Sequence, residues 1–273
     1  MSLIISVSGG IGNQFFILFA GISKAIEEKR DFKILIQKSV NEKRPYYFDN
    51  YLNFLNDKII YDYNEKDKKV FHLKSHNYEE IPDNMDLLIG NFENYRYFND
   101  NYEKIKEIMK INELQKLFNV NQKIIAIHFR LGDFIDIPDA VVLNDNYYIK
   151  GLKLLQEKLE KSFDDYKIII FGNKENKDLI YYKINIINSY FENKLNIYLF
   201  DDIYDSLNDF EDFIFMSCCT HFIIANSTFS WMASYLSSNK EKIIIHPPEY
   251  LHYTYNNYND GLYFKNNNYF ELN

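Results

Sequence analysis

His128, Arg130 and Asp133 fall within six residues of one another and bring an imidazole, a guanidinium and a carboxylate to one short stretch. The guanidinium suits a phosphate, because its planar fork donates two hydrogen bonds and keeps its charge when partly buried. The carboxylate is placed to take a proton from an attacking hydroxyl, with His128 as the alternative base or as a group that only orients its neighbours. A second polar set, Asn226-Ser227-Thr228-Phe229-Ser230, follows an apolar run and opens a helical stretch. Its hydroxyls and backbone N–H groups suit either a helix cap or a phosphate. A third set, Gly9-Gly10-Ile11-Gly12-Asn13-Gln14, is a glycine-rich turn in which free N–H groups at a helix start form an anion site. Each set also has a plain structural reading: a core histidine, an Arg130–Asp133 ion pair, an ordinary helix cap, a packing elbow.

The elements around these sets read as a parallel α/β protein. Ile124-Ile125-Ala126-Ile127 is a short, continuous, β-branched run, the signature of a strand covered on both faces. In open α/β sheets ligands bind beyond the carboxyl ends of such strands, where all three polar sets fall. From Lys123 onward the pattern alternates regularly. Strands are expected at 123–129, 167–171, 196–200, 221–225 and 242–246, and helices at 146–161, 176–190, 205–217 and 228–238. The earlier half is looser. Strands are expected at 3–7, 33–37, 59–61, 70–73 and 87–92, a helix after Gln14, and a charged amphipathic helix over 101–118. A domain boundary is placed near Asn119, giving units 1–119 and 120–273. The tail after Pro247 carries no strand or helix period.

Composition bounds the function. The 273 residues are 47% hydrophobic, enough for real cores, and the net charge of −8 argues against a general nucleic-acid surface. The N-terminus offers no room for a secretion signal, and no run approaches a membrane span, so a cytoplasmic protein is expected, with peripheral membrane contact left open. Cys218 and Cys219 are adjacent and read as small core residues. His72 and His76 lack a carboxylate partner and read as surface histidines. The acidic pairs Asp164-Asp165 and Asp201-Asp202 read as solvated turns. Asn226-Ser227-Thr228 also spells a glycosylation sequon, read as accidental at the end of a buried strand. No Asp-x-Asp triplet occurs, so no divalent metal is expected.

In order and position the three polar sets resemble those of the bacterial α-1,2-fucosyltransferases of glycosyltransferase family 11. Gly90-Asn91-Phe92-Glu93-Asn94-Tyr95-Arg96-Tyr97-Phe98 echoes a fourth family segment. The resemblance implies a GT-B type fold, two facing Rossmann-like domains, with the acceptor on residues 1–119 and the nucleotide sugar on 120–273. It implies an inverting transfer of L-fucose from GDP-β-L-fucose to the 2-OH of a galactose-terminated glycan, in surface polysaccharide synthesis, with no cofactor. By position, Arg130 would hold the GDP phosphates, and Asn226, Ser227, Thr228, Phe229 and Ser230 would surround the pyrophosphate. Asp212 would read the paired donors of guanine, and Gly10, Gly12, Asn13 and Gln14 would line the cleft. The chain departs from the family pattern in three places. Leu131 stands where a second Arg is common, Phe171-Gly172-Asn173-Lys174 replaces a Ser-Asp-Asp segment, and Trp231-Met232-Ala233 replaces Trp-Trp-Gly. Lys174 is expected to restore the missing charge. Two other readings stay open: a family relative using another GDP-sugar or linkage, and a nucleotide- or sugar-binding module without turnover.

Overall fold

The computed structural model describes residues 2–36, 45–75, 77–137, 140–204, 207–247 and 268–272. The chain divides between Lys116 and Leu117 into two compact units, each built on a parallel sheet.

In the first unit β1 (Leu3–Val7) is buried along its whole length, and α1 (Ile11–Glu27) follows it directly. β2 (Phe32–Ile36), β3 (Ile59–Ile60), β4 (Val70–His72) and β5 (Leu87–Ile89) complete a sheet of order β3-β2-β1-β5-β4. Every pairing is parallel, with Ile5 opposite Ile34 on one side and Leu88 on the other. Phe15, Phe16, Phe19 and Ile22 of α1 are fully buried, and Phe98 packs edge-on against Phe16 and Phe19. This burial of large aromatic surface stabilises the unit.

The single helix expected over 101–118 is instead α2 (Tyr102–Ile108) and α3 (Ile111–Gln115), separated by Lys110 in the left-handed conformation. Met109 and Ile111 are both fully buried. In one straight helix they would point about 200° apart, so the break lets both reach the same core.

The second unit runs β6 (Ile124–His128), α4 (Asp133–Asp136), α5 (Asp145–Leu159), β7 (Lys167–Phe171), α6 (Lys177–Tyr190), β8 (Ile197–Leu199), α7 (Phe200–Ile203), α8 (Asp209–Ser217), β9 (His221–Ile223), α9 (Thr228–Leu236), β10 (Ile244–His246) and β11 (Tyr269–Glu271). Its sheet order is β11-β10-β9-β6-β7-β8, again wholly parallel. The β-branched run of β6 lies between β9 and β7, which explains why it is apolar on both faces.

Two expectations need correction here. The helix expected over 205–217 begins only at Asp209, because Asn208 and Glu211 form a capping box that starts α8. The tail does contain a strand, since β11 adds to the sheet edge with Tyr269 opposite Ile244 and Phe270 against the core. Three residues are too few to show a period, and residues 248–267 lie outside those described. Cys218 and Cys219 are free thiols whose Sγ atoms donate to the carbonyls of Ile214 and Phe215 within α8. Among the described residues no helix is long and apolar enough to cross a membrane.

Gly90 ends β5 with a φ of 147°, and a Cβ there would stand 2.7 Å from Cβ of Leu73. Gly90→Ala is therefore expected to destabilise the protein by about 1–3 kcal/mol. Urea denaturation followed by circular dichroism checks it, and an unchanged midpoint would contradict the packing described.

Candidate functional site

The sheet of the second unit reverses its winding between β6 and β9. From β6 the chain proceeds outward through β7 and β8, and from β9 outward through β10 and β11. Neighbouring strands at such a switch point leave a crevice at their carboxyl ends. Two of the polar sets read from the sequence occupy those two ends, which the fold makes neighbours although about a hundred residues separate them.

A buried hydrogen bond joins them, between His128 Nδ1 and Ser230 Oγ at 2.9 Å. Phe229 lies beside the His128 ring with centroids 5.3 Å apart, and Phe213 of α8 packs edge-on against Phe229 at 5.5 Å. Tyrosines from α5 brace both strand ends: Tyr148 Oη donates to the His128 carbonyl at 3.1 Å and Tyr147 Oη to the Ile224 carbonyl at 2.6 Å. Burial, with a smaller contribution from the Arg130 charge, pushes the His128 imidazole down to about 3. Such a ring stays neutral near pH 7 and is a weak base, and its Nδ1 is already engaged. Of its two expected roles, orienting its neighbours is the one this geometry fits.

Arg130 follows β6 and is mostly buried. Its Nη2 lies 2.6 Å from Asp133 Oδ1, and its guanidinium stacks on Phe134 at 4.4 Å. Asp133 is half exposed and sits in the ion-pair arrangement. The turn between them depends on Gly132, whose φ is 50° and whose N–H donates to Asn176 Oδ1 at 2.8 Å. A Cβ on Gly132 would press on the Asn173 amide at 3.0 Å.

Across the switch point Asn226 donates from Nδ2 to the Val141 carbonyl at 2.8 Å. Ser227 is the N-cap of α9 by its backbone, but its side chain makes no capping hydrogen bond. Thr228, Phe229 and Ser230 form the first turn of that helix.

Asp212 projects from α8, one residue before Phe213. Its Oδ1 is buried with no hydrogen-bond partner. Burial, then the charge of Asp201, pushes its carboxyl up to about 7, opposed by Lys174. Asp201 is itself buried, so the reading of Asp201-Asp202 as a solvated turn is corrected. The expectation for Lys174 also changes. Its ammonium donates to the Leu207 carbonyl at 3.0 Å and lies 3.8 Å from Asp201 Oδ1, so it serves that acid and is not an unspent charge.

The glycine elbow belongs to the first unit, at the carboxyl end of β1. Gly10 is the N-cap of α1, with open space where a Cβ would stand. Gly12 and Asn13 lie in the first turn. Gln14 is buried and donates from Nε2 to the carbonyls of Gly9 and Pro45, both at 2.9 Å, so its amide ties the elbow to a neighbouring loop. His76 lies outside the described residues. Among those described, no three His, Cys, Asp or Glu side chains cluster closely enough to hold a metal ion.

The model of the family described as glycosyl transferase family 11 matches residues 19–270. The chain belongs to this family. This glycosyltransferase is 24% identical to an Escherichia coli alpha-1,2-colitosyltransferase, over 90% of this chain and 92% of that one. It is also 27% identical to the Escherichia coli O-antigen biosynthesis glycosyltransferase WbnK, over 49% of this chain and 41% of that one. Among solved structures it is similar to fucosyltransferase NodZ from Bradyrhizobium, at 10% identity and a TM-score of 0.44, covering 86% of this chain and 92% of that one.

Residues that the sequence reading of this family 11 transferase did not single out prove to hold the site. Tyr147, Tyr148 and Asn176 support the strand ends and the Gly132 turn, while Asp201, read only as part of a solvated turn, faces Asp212. Only Asn176 carried a usable signal, as a polar residue in the loop after β7, next to the strand that ends at His128.

The sign of the Asp212 effect is fixed by its raised value. The folded carboxyl, near 7, lies above its ordinary 3.8, so this group's contribution to stability falls as pH rises from about 4 through 7. Asp212→Asn is therefore expected to stabilise the fold at pH 8, by on the order of 2 kcal/mol, and to lose that advantage near pH 4. Denaturant midpoints at the two pH values check it, and a variant less stable at pH 8 would contradict the burial described.

Proposed function

We propose that this family 11 glycosyltransferase moves L-fucose from GDP-β-L-fucose to the 2-OH of a terminal galactoside with inversion, in the assembly of a surface polysaccharide. The observation that carries the donor reading is Asp212. A buried carboxylate oxygen with no partner, on a helix packed against the switch point, suits the paired N–H donors of guanine, which adenine and uracil lack. The linkage is supported by the motif resemblance and by the colitosyltransferase relative, whose transfer is also alpha-1,2. That relative also supports a second reading, in which the sugar on the donor is not fucose.

The chemistry follows from the groups. Breaking a glycosyl phosphate bond leaves negative charge on the departing GDP, and fixed donors at the β-phosphate lower the barrier by about 3 kcal/mol each, by comparison with oxyanion sites. Arg130 supplies one such donor. The uncapped start of α9 at Ser227 supplies others, since its N–H groups and helix dipole favour an anion. His128 fixes Ser230 and Phe229 beside them. The acceptor hydroxyl must lose a proton, and Asp133 is the carboxylate that the Arg130 turn brings to this edge. The same carboxylate holds the Arg130 fork in line.

Incubating the protein with GDP-fucose or GDP-colitose and a panel of β-galactosides tests the reading. Release of GDP with formation of an α-1,2 product from one donor is expected, and no transfer from either donor would overturn it. Arg130→Lys is expected to lose kcat almost as fully as Arg130→Ala, because Lys keeps the charge and loses the fork. Turnover by Arg130→Ala within a few-fold of the parent would remove Arg130 from the mechanism. For Asp133→Asn, loss of the acid limb of kcat/KM marks a general base, and an unchanged limb with lowered stability marks the ion pair alone.

A further inference from the structure

The loop after β7 touches both ends of the proposed donor site. Its single turn, Lys174–Asn176, lies in the segment where this chain departs from the family pattern, and its first and last side chains serve different ends. Asn176 Oδ1 accepts the Gly132 N–H at 2.8 Å and so holds the turn between Arg130 and Asp133. Lys174 Nζ donates to the Leu207 carbonyl at 3.0 Å, immediately before the Asn208 cap of α8, and lies 3.8 Å from Asp201 Oδ1 of α7. Asp212 stands in the first turn of that helix, where its N–H donates to the Asn208 carbonyl at 2.9 Å. One short turn thus fastens the guanidinium assigned to the phosphates and the helix start that carries the acid assigned to guanine.

The surroundings of Asp212 give the lysine a second task. Burial, then Asp201 of α7, and more weakly Asp209 and Glu211 of its own helix raise the Asp212 carboxyl, and Lys174 lowers it. α9, which packs against α8, holds no carboxylate and no cation. Asp201 is buried and keeps its charge beside Asp212. A protonated carboxyl presents an O–H where the guanine edge presents N–H groups, so it loses one of the two acceptors the base requires. An ammonium at the same corner favours the ionised form.

We propose that Lys174 is a positioning residue for the nucleotide: its ammonium, held between Asp201 and the start of α8, keeps Asp212 ionised so that both carboxylate oxygens accept from guanine. The assignment rests on the guanine reading above. It adds the group that sets the pH range over which the base is read.

The test is the ratio of ADP to GDP dissociation constants, measured by calorimetry on the full chain from pH 6 to pH 8.5. ADP carries the same diphosphate, so titration of the phosphates cancels in the ratio. In the parent the preference for GDP is expected to grow about tenfold over this range, because guanine takes the ionised acid and Asp212 loses its proton near 7. In Lys174→Met the rise is expected to move up by about half a pH unit, the size of a partly exposed charge contact, with the preference at pH 8.5 nearly restored. Lys174→Arg is expected to keep the parent profile. The Lys174 side chain is half exposed, so neither change threatens the fold. A rise that stays in place in Lys174→Met, one that moves equally in Lys174→Arg, or a loss of preference equal at every pH would overturn the assignment and leave the guanine reading standing. A parent that prefers GDP equally at every pH would do the same. A parent with no preference for GDP at any pH would overturn the guanine reading and this assignment with it.

Discussion

The hydrogen bond between His128 and Ser230 closes the switch point of the second unit, and the arrangement around it depends on that closure. The imidazole is buried, so leaving its Nδ1 unpaired would cost about 1–3 kcal/mol. Their pairing makes one side chain after β6 and one in the first turn of α9 fix each other's position. Phe229 then lies on the imidazole, Phe213 on Phe229, and through Phe213 the helix that carries Asp212 is located. A neutral histidine suits this task better than a charged one. A cation here would be desolvated and would repel Arg130, which is why the ring is held so far below its ordinary range.

Asp212 shows the opposite balance. Its carboxyl is held up by burial and by Asp201, and Lys174 offsets this only in part. Folding gains nothing from an acid placed there. A nucleobase edge that donates two hydrogen bonds would relieve the cost, so the raised carboxyl and the proposed selectivity have one origin. Arg130 stands differently, because Asp133 already satisfies it and the stacked ring of Phe134 supports it. Its fork is held in one orientation, as the proposed phosphate contact would require.

Much of the fold was legible because parallel strands covered on both faces must be largely apolar, and the strands hold the unbroken apolar runs 3–5, 124–127, 168–171 and 222–225. The polar strand ends were legible for the same reason, since polar residues are confined to where burial stops. What could not be read was adjacency. Nothing in the pattern says that β9 lies beside β6, and without that order His128 and Ser230 are two unrelated polar residues. The division of 101–118 into two helices was hidden as well, because it follows from a core that needs Met109 and Ile111 on one side. Lys174 and Asp201 were misread for lack of their partners. A lysine facing a buried acid and a lysine facing solvent look alike in a sequence, and so do a buried aspartate and an exposed one. Tyr147 and Tyr148 act through hydroxyl contacts with backbone carbonyls, which leave no trace in residue spacing.

The central claim is that the carboxyl edge at β6 and β9 holds a guanine nucleotide, with Asp212 reading the base. Calorimetric titration of GDP, ADP and UDP into the protein and into folded Asp212→Asn tests it most directly. The account predicts that GDP binds at least tenfold more tightly than the other two, a difference of about 1.4 kcal/mol or more, and that the variant loses this preference while keeping whatever affinity the diphosphate provides. Equal affinity for the three nucleotides, or a GDP preference undiminished in Asp212→Asn, would contradict it.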